Sequence, residues 1–174
     1  MKKNKDSGKT GDKVVKLEKK QNSKVVQEYD GIITKIKIKK EIPEIYCKKD
    51  GDKTNRTMIV KGKAKPLDEF LAALQDLKDF FLEVCDLEQH REKTSILIVS
   101  FSEKGVIITG QYELSKIKTS ITVNSPLVRY DKNAGGYEIT AETKEKLDRL
   151  KYEAVRYLKG DAAEKQMELF EEIK

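Results

Sequence analysis

The chain has 174 residues, 38% of them charged, and a mean hydropathy of −0.66. That allows one domain with a packed core plus polar tails, and no apolar run approaches the ~20 residues of a membrane-spanning helix. The net charge of +6 is unevenly spread: residues 1–65 carry 20 Lys/Arg against 9 Asp/Glu, and the other 109 carry 16 against 21. The basic part favours a polyanionic partner and the acidic remainder does not.

Residues 1–26 are Lys, Asp, Gly, Ser and Asn with few apolar positions. Such a stretch buries too little surface to offset its ordering entropy, so it reads as a disordered basic tail. It has no apolar h-region and is not a secretory signal. Gly8-Lys9-Thr10 matches the end of a phosphate-binding loop, but Lys3 stands where the first glycine would be. Cys47 and Cys85 are far apart in sequence and are expected as reduced thiols.

A single α+β domain is expected over residues 27–160. It opens with Gly31 to Lys40, where Ile36 and Ile38 alternate with Lys35, Lys37 and Lys39, the pattern of a strand with a lysine face. A second strand pair is expected at Glu44 to Cys47 and Arg56 to Lys63, joined by a polar loop. Asp50, Asp52 and Thr54 in that loop have calcium-loop spacing. Asn55 replaces the required glycine and Lys61 the closing glutamate, so it reads as a plain turn.

Pro66, Asp68 and Glu69 mark a helix start. Leu67, Phe70, Leu71, Leu74, Leu77, Phe81, Val84 and Cys85 then recur at helical spacing, predicting one amphipathic helix over 66–89. Phe80 and Leu82 lie off that stripe, which implies a wide buried arc or a second docking surface. Thr94 to Asn124 carries the densest β signal and predicts a three-stranded antiparallel meander. Ile96 to Phe101 and Val106 to Thr109 are nearly continuous in apolar character, as in strands covered on both faces. Ile117 to Val123 alternates strictly. After a connection containing Pro126 and Gly135-Gly136, Thr140 is a good N-cap. Leu147, Leu150, Ala154, Tyr157 and Leu158 form the stripe of a second helix, 140–159, ending at Gly160. The expected fold is thus an antiparallel sheet of about five strands with two amphipathic helices and disordered N- and C-terminal tails. The second tail, 161–174, is acidic.

His90 is the chain's one histidine, and its sequence neighbours include no nucleophile. No cysteine pair has metal spacing, and no nucleophile elbow appears. No catalytic residue, metal or cofactor is assigned, and the chain reads as non-enzymatic. The lysine rows are more informative. Lys35, Lys37 and Lys39 recur in Lys61, Lys63 and Lys65 and again in Lys116 and Lys118. Side chains two apart on a strand lie ~6.5–7 Å from each other, close to the phosphate spacing of an extended nucleic-acid strand. If the rows share a face, they form a platform for salt-sensitive, sequence-independent binding, most naturally of single-stranded DNA. The alternative is edge protection or a solvated face. Aromatics for base stacking are few, Tyr46 and Tyr112 being the nearest.

Gln166-Met167-Glu168-Leu169-Phe170 in the acidic tail resembles the bacterial sliding-clamp-binding pentapeptide, with Gln first and Leu-Phe last. That resemblance implies a host clamp, or a similar host protein, bound through Gln166, Met167, Leu169 and Phe170. The alternative is a closing turn folded back on the domain. From Thr94 to Phe170 the layout is similar to that of small uncharacterised proteins of phage and prophage replication–recombination gene clusters. The shared pieces are IVSFSEKGVIITG, a strand ending VNSP, a helix ending YLKG and the QxxLF tail. This resemblance implies a cytoplasmic setting in a bacterial host and a non-enzymatic role in DNA replication or recombination. The alternative function is a phage-encoded inhibitor that binds a host enzyme or defence complex.

Overall fold

The computed structural model describes residues 31–49, 56–114, 117–131 and 136–163. The expectations for residues 1–26 and for the Gln166–Phe170 motif lie outside the described residues. The chain folds as α+β, with a sheet whose described strands pair antiparallel. Its strands are β1 (Gly31–Lys39), β2 (Ile42–Lys49), β3 (Thr57–Lys61), β4 (Thr94–Phe101), β5 (Gly105–Leu114) and β6 (Thr119–Asn124), in the order β3-β2-β1-β4-β5-β6. A two-residue strand, β7 (Val128–Arg129), pairs with the start of β5.

The helices are α1 (Asp68–Gln75), α2 (Lys78–Val84) and α3 (Ala141–Leu158), with a 3₁₀ turn at Glu88–Lys93. Phe70, Leu74, Leu77, Phe81, Leu147 and Leu150 close one core with Ile36, Ile45, Val99 and Ile108 of the sheet. Thr140 caps α3, its Oγ1 accepting from Thr143 N–H at 3.1 Å. At the other end Gly160 takes φ +101 and Asp161 N–H returns to Arg156 O at 3.1 Å, the six-to-one bond of a Schellman end.

The helix expected over 66–89 is instead broken at Asp76 and Leu77. No glycine or proline causes the break; the two halves have different destinations. α1 packs along α3, where Asp76 accepts from Arg149 at 2.8 Å. α2 lies over β4 and β5, with Phe81 against Gly110, where a β-carbon would fall 2.5 Å from Phe81 Cε1. Redirecting the axis also buries Leu82, so the off-stripe positions reflect a wide buried arc.

Gln75, the last residue of α1, secures the arrangement. Its side-chain amide donates to Ile96 O and accepts from Ile96 N–H, both at 3.0 Å. These backbone groups need a partner because β1 pairs with β4 only as far as Ile98, and the register shifts between Ile96 and Ile98. The sheet is not covered on both faces as expected for β4 and β5: Ile107 is 37% exposed. The three described helices lie on the other side. In β6 Thr119, Ile121 and Val123 face the helix layer's rim, where Val123 packs against the core and Ile121 is exposed.

Gln75→Ala strands two buried backbone groups and should cost about 2–4 kcal/mol in urea unfolding, at ~1–2 for each lost partner. Gly110→Ala should cost about 1–3 kcal/mol by overpacking against Phe81. Gln89→Ala, on an exposed side chain, should stay within ~0.5 kcal/mol.

Candidate nucleic-acid interface

Residues opposite one another in a sheet share a face. Ile36, Ile45 and Val99 are mutually opposite and fully buried, so they mark the helix-covered side. Their neighbours Lys35, Tyr46 and Ser100 therefore lie on the open side, as do Lys37, Glu44 and Ile98. β3 adds Ile59 to the first of these rows and Lys61 to the second. Lys39 follows Lys37 on the same side, and Ile32, Lys48 and Thr57 make a third row beyond Lys35.

The cations on this face have different surroundings. Lys35 Nζ lies 5.4 Å from the centroid of the Tyr46 ring, a cation–π contact that holds the ring across the strand. Lys37 Nζ lies 3.6 Å from Glu44 Oε2, and Lys61 stands opposite Glu44 on its other side. Glu44 thus lies between Lys37 and Lys61 in the cross-strand row. Lys39 and Lys61 have no ion-pair partner among the described residues. Ile59 is 48% exposed and sits beside Tyr46, so the face combines aliphatic, aromatic and cationic groups.

The other expected lysines do not join it. β3 ends at Lys61, and Lys63 and Lys65 lie in the connection to α1. Lys65 is ion-paired with Glu41, whose hydrogen bond and charge raise its pKa above the ordinary lysine value. Lys118 takes φ +48 in the turn before β6, three strands away from β1, and lines a shallow recess with Glu113. Lys116 lies outside the described residues. Tyr112 is on the helix side, its ring centroid 4.5 Å from that of His90, so it supplies no stacking surface to the open face.

Sequence reasoning passed over Lys48 and Glu44 as parts of this face. Their signal is the alternation of Glu44, Tyr46 and Lys48 with Ile45 and Cys47, one strand away from the lysine row. Among the described residues no group of three or more His, Cys, Asp or Glu side chains could hold a metal ion. None of the described helices is long and apolar enough to cross a membrane. No family model, curated protein or solved structure matches the chain.

The turn from β1 to β2 pairs Lys39 with Ile42, leaving Lys40 and Glu41 as its two central residues, at φ +50 and +64. Such a turn suits Asn-Gly, and each ordinary side chain there costs about 1 kcal/mol. The strain keeps Lys40 at the end of the lysine row and Glu41 within reach of Lys65. K40N/E41G should therefore stabilise the fold by about 1 kcal/mol or more in urea unfolding. The same variant removes one lysine and one glutamate, so its net charge is unchanged and polyanion binding should stay within about twofold.

Proposed function

We propose that this protein is a non-enzymatic accessory factor of phage or mobile-element DNA replication or recombination, acting in the bacterial cytoplasm. It lays a single DNA strand over the open sheet face and engages the host sliding clamp, or a similar protein, through Gln166, Met167, Leu169 and Phe170. The observation that carries the DNA part is the gathering of Lys35, Lys37, Lys39 and Lys61 around Tyr46 on one uncovered face. Lysines along β1 stand ~6.5–7 Å apart, and neighbouring strands ~4.8 Å apart, so successive phosphates find cations along β1 and across to β3. Tyr46 offers one base a stacking surface. With so few aromatics, affinity would rest on phosphate contacts and be sequence-tolerant and salt-sensitive.

Glu44 tunes this face. It offsets part of the charge of Lys37 and Lys61 and repels a phosphate placed between them. A protein that used the face only to stay soluble would gain nothing measurable from losing Glu44. A DNA-binding face would.

Anisotropy with labelled single-stranded DNA over a salt series tests the reading. Replacing Lys35, Lys37 and Lys39 together by Ala should lower the slope of log affinity against log salt by about 2, at ~0.7 per lost phosphate contact. Lys144→Ala with Lys159→Ala, at an exposed α3 position and the exposed α3 C-cap, should leave the slope near wild type. Glu44→Gln should tighten binding roughly two- to fivefold, a gain of the size of one exposed ion pair. Unchanged affinity in both sheet-face variants would remove DNA from the account. Leu169→Ala with Phe170→Ala should abolish binding to a purified bacterial sliding clamp and spare DNA binding.

The exposed Ile59 and Ile107 on the same face favour a second reading, a phage-encoded inhibitor that docks on a host enzyme or defence complex. Partners retained from a host lysate after nuclease digestion would support it; partners lost on digestion would support DNA tethering.

A further inference from the structure

β1 and β4 are paired over three residues only, Lys35–Lys37 against Ser100–Ile98. The register shift between Ile33 and Lys35 directs both Ile33 and Ile36 into the core, and before it the two strands no longer pair. There the sheet forks. The fork opens a cleft of about 690 Å³ between the start of β1, the end of β4, the β4–β5 turn and α3. Its volume is that of a site for a small organic ligand. A smaller recess of about 250 Å³, lined also by Val155 of α3, shares Ile32, Ile33 and Lys151 with it.

The lining has a definite chemistry. Ile32, Phe101, Leu127 and Tyr130 provide apolar and aromatic surface. Lys48, Lys104 and Lys151 share the lining with the carboxylate of Glu103. Lys151 Nζ lies 4.6 Å from the centroid of the Phe101 ring, which places a cation beside the aromatic surface. Tyr130 is 42% exposed, and desolvation and the nearby Asp148 both raise its pKa, so its phenol stays a neutral O–H donor. Flat apolar surface beside three ammonium groups fits a ligand with a planar ring and a phosphate.

The cleft is also continuous with the open face. Ile32 and Lys48 form the row next to Lys35 and Tyr46, so a strand crossing the lysines reaches the cleft mouth. α3 lines its helix-layer side through Lys151 and Val155, so a chain entering from the open face meets that helix. We propose that the cleft holds the terminal nucleotide of a DNA strand, its base against Phe101 and Tyr130 and its phosphate among Lys48, Lys104 and Lys151. The path of the strand rests on the DNA-binding reading above, whereas the cleft's affinity for a nucleotide does not.

The experiment compares the full chain's affinity for a 5′-phosphorylated linear oligonucleotide, its 3′-phosphorylated counterpart and the circular form of the same sequence. It is paired with a titration of free deoxyadenosine monophosphate followed by amide chemical shifts. A linear form should bind at least fivefold tighter than the circle, and the phosphate arm that gains most identifies the end. Tyr130→Ala and Lys104→Ala with Lys151→Ala should erase that preference and leave circular binding within twofold, with unchanged melting temperatures showing that the fold is intact. The mononucleotide should shift amides around Phe101, Ser102 and Tyr130 saturably. Equal affinity for linear and circular DNA overturns the end-binding proposal while leaving the lysine face in place. If the circle fails to bind but a linear form and the mononucleotide do, the lysine face is wrong and the cleft stands. No binding of the mononucleotide or of any linear form overturns the cleft.

Discussion

Three residue pairs hold the two halves of this sheet together. Lys35, Ile36 and Lys37 meet Ser100, Val99 and Ile98, and the central pair, Ile36 with Val99, has no exposed surface. The other pairings along the main strand order join neighbours in sequence through a turn or short connection; this one spans more than sixty residues. Closing so long a loop is entropically costly and is offset only when distant apolar groups are buried together. The chain between β1 and β4 supplies those groups. Phe70, Leu74, Leu77 and Phe81 of α1 and α2 lie in the same core as Ile36 and Val99, and Leu147 and Leu150 of α3 complete it. The junction and the helix layer thus require one another, as expected of a cooperative unit.

Placing the described helices on one side determines what the other side can be. A sheet with one covered face alternates apolar and polar positions, and here much of the polar set is lysine on β1 and its neighbours. Charges of like sign on adjacent positions repel. Glu44 between Lys37 and Lys61, and the Tyr46 ring beside Lys35, reduce that cost in the free protein. The face is therefore held in shape without a ligand, and a polyanion arriving there need not order it first.

Local features were legible in the sequence and non-local ones were not. Thr140 and Gly160 bound α3 because capping depends on a few adjacent residues. The alternation of Ile36 and Ile38 with Lys35, Lys37 and Lys39 placed those lysines on one side of a strand, where they are. The break at Asp76 and Leu77 carries no glycine or proline because it is imposed by α3 and β5, both far off in sequence. Lys61 shares the face and Lys65 does not because β3 stops after Lys61; the even spacing of Lys61, Lys63 and Lys65 continues past the strand that would give it meaning. Glu44 looked like one acid among many. Its place between two lysines depends on the β1–β2 and β2–β3 registers, which no short window contains.

The two register shifts lie in different surroundings. At Ile96 the shift in β4 leaves backbone groups that Gln75 satisfies from the helix layer, so the irregularity is sealed and becomes part of the core. At Thr34 the shift in β1 is stabilised from one side only, Thr34 Oγ1 donating to Tyr46 O at 3.2 Å. On the β4 side no strand follows, and the cleft opens there. Bulges re-aim side chains and end pairing; one here ties a helix to the sheet and the other divides the sheet. An uninterrupted β1 would extend its pairing with β4 past Lys35 and close the fork. It would also turn Ile33 away from the core, since a shift of one residue exchanges the faces of a strand. The burial of Ile33 and the opening between the strands therefore follow from the same extra residue, which links the packing of the core directly to the shape of the surface beside the lysine face.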